Sequence, residues 1–311
     1  MSLSEFGLIQ RFFAQQSLKS PHNQLGVGDD CALLEIPAGY QLAVTTDTMV
    51  ENVHFFAGAD PRQLGHKLLA VNLSDLASMG AEPFAVTLAL TLPKVDEVWL
   101  SQFSQGFLDL AQQYTVDLIG GDTTKGYLTL TVQALGLVPK GLAMKRSAAK
   151  PGDFVYVTGC LGDAGLGLKI EQGYQCLSPD QALQQFHQPL PCVEQGLALR
   201  GIANACIDIS DGLAADLGHI LEKSAVGAAI DVDALPLSAA VKGYIAETGD
   251  WQMPLTAGDD YQLCFTVSPD KVKDLTIACW QIGKIEQQPG LRVLRSGKFQ
   301  TLEVQGFEHF S

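Results

Sequence analysis

Apolar and polar positions along the chain alternate between the two-residue period of strands and the 3.6-residue period of helices. In the first half, β-branched and apolar runs predict strands at 41–46, 84–92, 116–119 and 127–138. A helix is predicted to begin at Asp60-Pro61, with Asp as its cap and Pro in its first turn, and to run to about Met79, where Gly80 ends it. A second helix is predicted at 95–114, and the strand at 41–46 is expected to stop at Asp47.

The second half repeats this alternation, which is typical of an α/β fold. Strands are predicted at 154–158, 206–209, 227–232, 261–267, 279–285 and 291–294, and helices from about Ala164 and at 180–187, 195–204 and 212–224. The segment 139–151 is rich in Pro, Gly and basic residues, and we interpret it as the crossing between two domains. The sequence therefore predicts an N-terminal domain at 1–139 and a C-terminal domain at 140–311.

Composition excludes several classes of protein. Of 311 residues, 47% are hydrophobic and 17% are charged, which excludes a disordered chain. No apolar run reaches the ~18 residues of a membrane span. The N-terminal residues Met1 to Gln16 carry an acidic and amphipathic pattern rather than that of a signal segment, so we expect a cytoplasmic protein. The net charge of −14 disfavours nucleic-acid binding. Seven cysteines without a Cys-x-x-Cys pair argue against a disulfide framework and a structural zinc site.

Aspartate outnumbers glutamate, 22 to 12, and many of the aspartates lie in loops rich in small residues. These segments are Gly26–Asp30, Thr45–Asp47, Asn72–Ala77, Gly120–Thr123, Asp208–Gly212 and Gly258–Asp260. For any one of them, turn or cap chemistry is the simpler interpretation. Asp75 differs because it falls in the middle of a predicted helix, where Asp has a poor propensity. Since gathered carboxylates repel one another unless cations bind them, the set predicts a site for several Mg²⁺ ions and a phosphate ligand.

Two further features suit an anionic ligand. The turn from Gly159 to Gly167 lies between a predicted strand and helix, and its backbone N–H groups could bind an anion. A tight turn with close packing explains the same glycines equally well. Arg146, in the basic crossing, could bind a phosphate, and a solvated basic loop is the alternative. No P-loop or complete dinucleotide-binding fingerprint occurs.

Together, and in this order, eight motifs resemble the thiamine-monophosphate kinase family of the aminoimidazole-ribonucleotide synthetase superfamily. They span most of the chain: Gly26-Val27-Gly28-Asp29-Asp30-Cys31-Ala32, Thr45-Thr46-Asp47 with His54-Phe55, Lys67 with Asn72-Leu73-Ser74-Asp75-Leu76-Ala77 and Met79-Gly80-Ala81, Gly120-Gly121-Asp122-Thr123, Lys145-Arg146-Ser147, Asp208-Ile209-Ser210-Asp211-Gly212-Leu213, Gly258-Asp259-Asp260-Tyr261 with Leu263, and Gly306-Phe307 with His309-Phe310. The resemblance implies two α/β domains with mixed sheets, an active site in the cleft between them, and a homodimer formed through the N-terminal sheets.

The resemblance also implies roles for individual residues. The implied magnesium ligands are Asp30, Thr45, Thr46, Asp47, Asp75, Asp122, Asp208 and Asp211. The implied ATP contacts are Gly121, Asp122, Arg146 and Ser210. The implied substrate contacts are His54, Asp259 and an aromatic residue of the C-terminal tail, Phe307 or Phe310. Two positions depart from the family, which usually has Glu where Asp259 and Gln262 stand.

The activity implied by the resemblance is phosphorylation of thiamine monophosphate by ATP with Mg²⁺, giving thiamine diphosphate, with no acid, base or nucleophile from the protein. Related enzymes fit less well. Selenophosphate synthetase needs a reactive Cys near the N-terminus, whereas the first one here is Cys31. The hydrogenase-maturation relative needs a C-terminal Cys, and this chain ends in Phe310-Ser311. A non-catalytic nucleotide- or metal-binding protein is the alternative from another class, and acceptor-independent ATP consumption would favour it.

Overall fold

The computed structural model describes residues 5–14 and 17–302. The chain divides into two compact units. The first contains the chain up to Leu76 together with Ala81–Gly141, and the second contains Ala77–Gly80 and the chain from Leu142 onward. Within the described residues, no helix is long and apolar enough to cross a membrane.

The first unit is built around a four-stranded mixed sheet. Its helices are α1 (Glu5–Phe12), α2 (Pro61–Ser78) and α3 (Glu97–Gln113), and its strands are β1 (Asn23–Leu25), β2 (Leu33–Leu34), β3 (Tyr40–Val50), β4 (Glu82–Leu92), β5 (Asp117–Lys125) and β6 (Thr129–Pro139). The strand order is β3-β6-β4-β5, in which only the β4–β5 pair is parallel. The strands β1 and β2 form a separate small antiparallel pair.

Helix α2 begins and ends as the sequence predicts. The Asp60 carboxylate accepts a hydrogen bond from the N–H of Gln63 at 2.9 Å, which satisfies one of the free donors of the first turn. Gly80, with φ of 63°, follows the last turn and adopts the left-handed conformation that glycine tolerates best. The helix packs on one face of the sheet, where Leu76 lies against Gly136 of β6. The sequence prediction for this element is confirmed.

Two predicted strand ends are wrong. Strand β3 does not stop at Asp47 but continues to Val50, since it pairs with β6 residue by residue along eleven positions. Strand β5 likewise does not end at Gly120-Gly121-Asp122 but runs through them to Lys125 beside β4. Both are the outer strands of the sheet. An outer strand has a neighbouring strand on one edge only and its other edge is free. Polar side chains are therefore tolerated inside β3 and β5.

The second unit contains a seven-stranded sheet and six helices in its described residues. The strands are β7 (Phe154–Val157), β8 (Ala205–Asp208), β9 (Gly227–Asp231), β10 (Leu263–Val267), β11 (Trp280–Glu286), β12 (Gly290–Arg295) and β13 (Lys298–Gln300); the helices are α4 (Asp163–Glu171), α5 (Asp180–His187), α6 (Val193–Ala198), α7 (Leu213–Ser224), α8 (Ala239–Thr248) and α9 (Met253–Thr256). The strand order is β13-β12-β9-β11-β7-β10-β8, with β9 and β12 as the parallel pair. Helix α8 has no counterpart among the predicted elements.

Buried side chains of this sheet and of α7 form the core of the second unit. Val155, Ile207 and Cys264 come from neighbouring strands, and Leu217 and Ile220 come from the helix. All are at most 1% exposed. This packing holds the ends of β8 and β10 in place, and the loops that follow β8 and precede β10 carry several predicted site residues.

Candidate active site

In the first unit, the structure brings together three of the predicted metal ligands. Thr45 and Asp47 are two residues apart in β3, so their side chains leave the same face of the sheet. Helix α2 covers that face and presents Asp75, whose carboxylate accepts a hydrogen bond from the Thr45 hydroxyl. All three are half-buried. The contact of the Asp75 carboxylate with β3 therefore explains why an aspartate stands in the middle of this helix.

Thr46 and Asp122 do not join this group. Thr46 lies between Thr45 and Asp47, so its side chain leaves the opposite face of the sheet, where it is exposed. Asp122 is aligned across the sheet with Thr131 and therefore points to that same open face. It lies in β5, at the far edge of the sheet from Thr46. The predicted ligands of the first unit are thus divided between two faces.

Gly121 allows a close approach of two strands next to Asp122. A Cβ atom at this position would lie 1.9 Å from the carbonyl oxygen of Leu88 in β4, which no side chain can do. Glycine is therefore required by packing within the sheet, whatever ligand lies nearby. This requirement explains the residue type without a nucleotide, and the predicted ATP contact at Gly121 remains a prediction.

Asp30 and His54 lie in loops of the first unit. Asp30 is exposed, and its N–H donates to the Asp29 carboxylate at 2.9 Å. His54 follows β3 in a turn, where its ring Nδ1 accepts a hydrogen bond from the N–H of Val50 at 3.0 Å. Since Nδ1 is an acceptor, the proton of the neutral ring lies on Nε2. His54 can therefore donate to a phosphate or another acceptor through Nε2.

In the second unit, β8 ends in Asp208, which is 3% exposed, and the chain then turns through Ser210 and Asp211 into α7. This segment is joined to the Gly258–Gln262 loop by main-chain hydrogen bonds. The N–H of Asp259 donates to Ser210 O at 2.9 Å, and the N–H of Tyr261 donates to Ile209 O at 2.8 Å. The structure thus places three predicted site residues, Ser210, Asp211 and Asp259, on two paired loops.

The Gly258–Gln262 loop has an unusual backbone. Asp259 and Tyr261 both adopt positive φ angles, 66° and 48°, which are costly for residues with a side chain. The Tyr261 hydroxyl donates to the Asp259 carboxylate at 2.9 Å, which fixes the direction of this shorter side chain. Gln262, the second departure from the family, packs its side-chain amide over Gly159 and accepts a hydrogen bond from the Thr158 hydroxyl at 2.9 Å. It therefore has a structural role.

Sequence reasoning missed the role of Asp260. It is fully buried, and its carboxylate accepts hydrogen bonds from the N–H groups of Gly162 at 2.7 Å and Ala164 at 3.3 Å. Burial raises its pKa to about 8, although these two hydrogen bonds oppose the shift. An internal carboxylate thus occupies the N-terminus of α4. The hypothesis that these two N–H groups bind a ligand anion is wrong, and the tight-turn interpretation is confirmed.

Close packing accounts for the later glycines of this turn. A Cβ atom on Gly165 would lie 2.3 Å from that of Ala257, and one on Gly167 would lie 2.5 Å from the carbonyl oxygen of Ala182 in α5. Helix α4 can therefore approach its neighbours only because these positions lack side chains.

Asp216 was also missed. It lies in the first turn of α7 and is 2% exposed, and its carboxylate accepts hydrogen bonds from the N–H groups of Ser210 and Asp211. Burial raises its pKa to about 7, against the effect of these hydrogen bonds and of the Arg146 charge. A signal was present in the sequence: Leu213, Asp216, Leu217 and Ile220 share one face of the helix, so an aspartate stands among core positions.

Arg146 is exposed in a short 3₁₀ turn, whose main chain is fixed by a hydrogen bond from the Ser224 hydroxyl to Arg146 O at 2.8 Å. Its side chain is exposed to solvent, and its positive charge favours the ionised form of Asp216, which opposes the rise in the pKa of that carboxyl. The tail residues Phe307 and Phe310, predicted as alternative substrate contacts, lie outside the described residues.

The donor set can be tested against magnesium. Within residues 5–14 and 17–302, no three acidic, His or Cys side chains converge closely enough to hold a metal ion by themselves. The candidate ligands are nevertheless oxygen donors, which Mg²⁺ prefers, and Thr45, Asp47 and Asp75 leave two facing elements. Mg²⁺ usually binds through one or two carboxylates together with water and substrate phosphates. The residues therefore fit magnesium that arrives with a nucleotide.

Comparison with known proteins agrees with this picture. The family model of the AIR synthase related protein N-terminal domain matches residues 28–138, and that of the C-terminal domain matches residues 150–295. The thiamine-monophosphate kinase of Haemophilus influenzae is 48% identical over 324 residues, covering 100% of this chain and 99% of that protein. The thiamine-monophosphate kinase of Escherichia coli K12 is 45% identical over 323 residues, with the same coverage of both chains.

Solved structures show the same relationship. The crystal structure of thiamine-monophosphate kinase from Stenotrophomonas maltophilia K279a is 42% identical, with a TM-score of 0.85 and coverage of 96% of this chain and 98% of that one. The structure of AaThiL complexed with AMPPCP and TMP is 31% identical, with a TM-score of 0.80 and coverage of 99% and 97%. With both domain models matched in order and full-length relatives well above 30% identity, this chain belongs to the thiamine-monophosphate kinase family of AIR synthase related proteins.

Proposed function

We propose that this protein is an enzyme that transfers the γ-phosphoryl group of ATP to thiamine monophosphate, giving ADP and thiamine diphosphate. The observation that carries the proposal is the full-length similarity to thiamine-monophosphate kinases, including a complex with AMPPCP and TMP that aligns with 99% of this chain. The candidate residues of both units add support. Their oxygen atoms are suitable ligands for cations, and their hydrogen-bond donors are suitable for polyphosphates.

The proposed phosphoryl transfer needs little acid or base catalysis from the protein. A phosphate monoester has a second pKa near 6, so the acceptor is largely a dianion at neutral pH and its oxygen is already a nucleophile. We therefore propose direct transfer with no phosphorylated enzyme intermediate. The main obstacle is repulsion between two polyanions in a protein of net charge −14.

We propose that magnesium ions counter this repulsion. The ligands would come from the carboxylates Asp30, Asp47, Asp75, Asp122, Asp208 and Asp211 and from the hydroxyls of Thr45 and Thr46. Magnesium held by these residues would supply positive charge that offsets the charge of the phosphates during in-line transfer. The protein's part is orientation. The Thr45 hydroxyl, by donating to Asp75, fixes the carboxylate on α2 relative to Asp47 on β3.

The remaining candidate residues would contact the two substrates. For ATP we propose main-chain contact at Gly121, an ion pair with the exposed guanidinium of Arg146 and a hydrogen bond from Ser210. For thiamine monophosphate we propose Nε2 of His54 and the carboxylate of Asp259, which Tyr261 already orients. An aromatic residue of the tail, Phe307 or Phe310, completes the proposed set.

We also propose a homodimer formed through the sheet of the first unit. The supporting observation is the open face of β3, an outer strand, where alternate apolar side chains are exposed: Tyr40 at 38%, Leu42 at 41% and Val44 at 53%. Contiguous apolar surface of this kind marks interaction sites. Sedimentation velocity should show a dimer for the wild type and a monomer for Leu42→Lys. A monomeric wild-type protein at micromolar concentration would contradict the proposal.

The test of the activity is acceptor-dependent ADP release with ATP and Mg²⁺. We expect turnover with thiamine monophosphate, none with free thiamine or aminoimidazole precursors, and loss of turnover on addition of EDTA.

Asp47→Ala and Asp122→Ala should abolish turnover while the circular dichroism spectrum is retained. The matched control is Asp274→Ala, an exposed aspartate in a 3₁₀ turn of the second unit. Turnover with another acceptor but not with thiamine monophosphate would overturn the assigned substrate. Near-normal turnover in either variant would remove that residue from the proposed metal ligands.

A further inference from the structure

Asp216 links the first turn of α7 to the loop that precedes the helix. Its Oδ2 atom accepts hydrogen bonds from the N–H groups of both Ser210 and Asp211, each at 3.0 Å. Its own N–H donates to Gly212 O at 3.0 Å as part of the first helical turn. The side chain is 2% exposed, so these contacts are shielded from water. One oxygen atom thus fixes two successive peptide groups.

The two peptide groups belong to residues with proposed roles toward the nucleotide. The direction of a side chain follows from the φ and ψ angles of its residue, and a held N–H group restricts φ of its own residue and ψ of the residue before it. The two hydrogen bonds therefore restrict φ and ψ of Ser210 and φ of Asp211. On the other side of the loop, Gly258 approaches so closely that a Cβ atom there would lie 2.2 Å from Ser210 O. The segment is therefore held from both sides, and Asp216 is the side chain that holds it from the helix.

We propose that Asp216 is a positioning residue, which holds the main chain of Ser210 and Asp211 so that their side chains meet the nucleotide and its magnesium ions. This rests on the proposed function, and it assigns Asp216 no contact with either substrate. Residues that orient metal ligands in this way often change metal affinity by about 10- to 100-fold when removed.

A purely structural role is the competing explanation, and Asp163 provides a matched control. It too is a first-turn aspartate that is 2% exposed, in α4, and its carboxylate accepts hydrogen bonds from Ser238 at 2.6 Å and Gln181 at 3.0 Å. Asp163→Ala should lower the melting temperature as Asp216→Ala does. Only the Asp216 variant should change the use of magnesium and ATP.

The experiment measures three quantities for the wild type, Asp216→Ala, Asp216→Asn and Asp163→Ala. They are the magnesium concentration at half-maximal turnover, the KM values for ATP and thiamine monophosphate, and the Kd of AMPPCP with and without Mg²⁺. We expect Asp216→Ala to raise the magnesium requirement and the KM for ATP by about tenfold or more, with little change in the KM for thiamine monophosphate. Asp216→Asn keeps an acceptor oxygen and should restore both values to within about threefold of wild type.

Equal constants in Asp216→Ala and wild type, or an equal shift in Asp163→Ala, would overturn the proposal. Should the alanine variant not fold, Asp216→Ser is used instead, because its hydroxyl is too short to reach both N–H groups and should show the same shifts. The AMPPCP measurement needs no acceptor. A protein that binds Mg²⁺-AMPPCP in an Asp216-dependent way but does not phosphorylate thiamine monophosphate would refute the proposed substrate and leave this inference standing.

Discussion

Helices α2 and α3 cross at two glycines, and the crossing allows a quantitative prediction. A Cβ atom on Gly106 would lie 1.9 Å from the carbonyl oxygen of Arg62, and one on Gly65 would lie 2.2 Å from that of Phe103. In both cases the obstacle is the backbone of the other helix, which cannot rotate away as a side chain can. Gly106→Ala should therefore force the two helices apart.

The cost can be estimated from this geometry. To reach an ordinary contact of 3.4 Å, the Arg62 carbonyl would have to retreat by roughly 1.5 Å. That movement loosens the packing of Phe103 and Phe107, both fully buried. Overpacking of this kind costs about 1–3 kcal/mol, and the better helix propensity of alanine returns about 1 kcal/mol. The expected net loss is therefore up to about 2 kcal/mol, or a fall in Tm of up to roughly 8 °C.

Thermal unfolding followed by circular dichroism measures this effect. The matched control is Gly243→Ala, at an exposed position of α8 where a Cβ atom would meet nothing within 4 Å. That variant should keep or slightly raise the Tm, because only the helix propensity changes. A Tm for Gly106→Ala equal to that of Gly243→Ala would refute the reasoning, since it would show that the helices separate at no cost.

Two other predictions concern pH and magnesium. Burial raises the pKa of Asp260 to about 8, against 3.8 in the unfolded chain. Between about pH 4 and 8 the folded protein therefore binds more protons than the unfolded chain does. The free energy of unfolding should fall as the pH rises through that window. Asp260→Asn should flatten the fall, as measured by Tm from pH 5 to 8; parallel curves would contradict the assignment. Thr45→Val removes the donor to Asp75 and should raise the magnesium concentration at half-maximal turnover severalfold. Thr48→Val, on the other face of β3, is the control, and equal magnesium dependence of both variants would exclude this role for Thr45.

Local sequence signals were sufficient for some elements. The bounds of α2 follow from Asp60, Pro61 and Gly80, whose effects act within one turn of the helix. The helix at 180–187 was likewise predicted with the bounds that the structure shows. The location of Asp75 in mid-helix was predicted correctly, because the helix pattern around it is long.

The missed features depend on residues that are distant in sequence. Asp47 and Asp122 were expected to end strands because Asp has a low strand propensity, yet pairing with β6 and β4 outweighs that preference at the sheet edges. Asp260 contacts Gly162, 98 residues away, and no local pattern reveals such a partner. Asp216 was predictable in principle from its place among apolar positions, and its partners Ser210 and Asp211 were not.

Successive side chains of β3 alternate between the two faces of the sheet, and this alternation limits which mutations the strand can tolerate. Odd-numbered positions carry Thr45 and Asp47 toward α2, and even-numbered positions carry Leu42 and Val44 to the open face. A single-residue insertion or deletion upstream in this strand would shift the register by one and exchange the two sets at once. Substitutions can alter one set while sparing the other, but length changes cannot. Over evolutionary time, we expect the length of this strand to be kept even where its residues diverge.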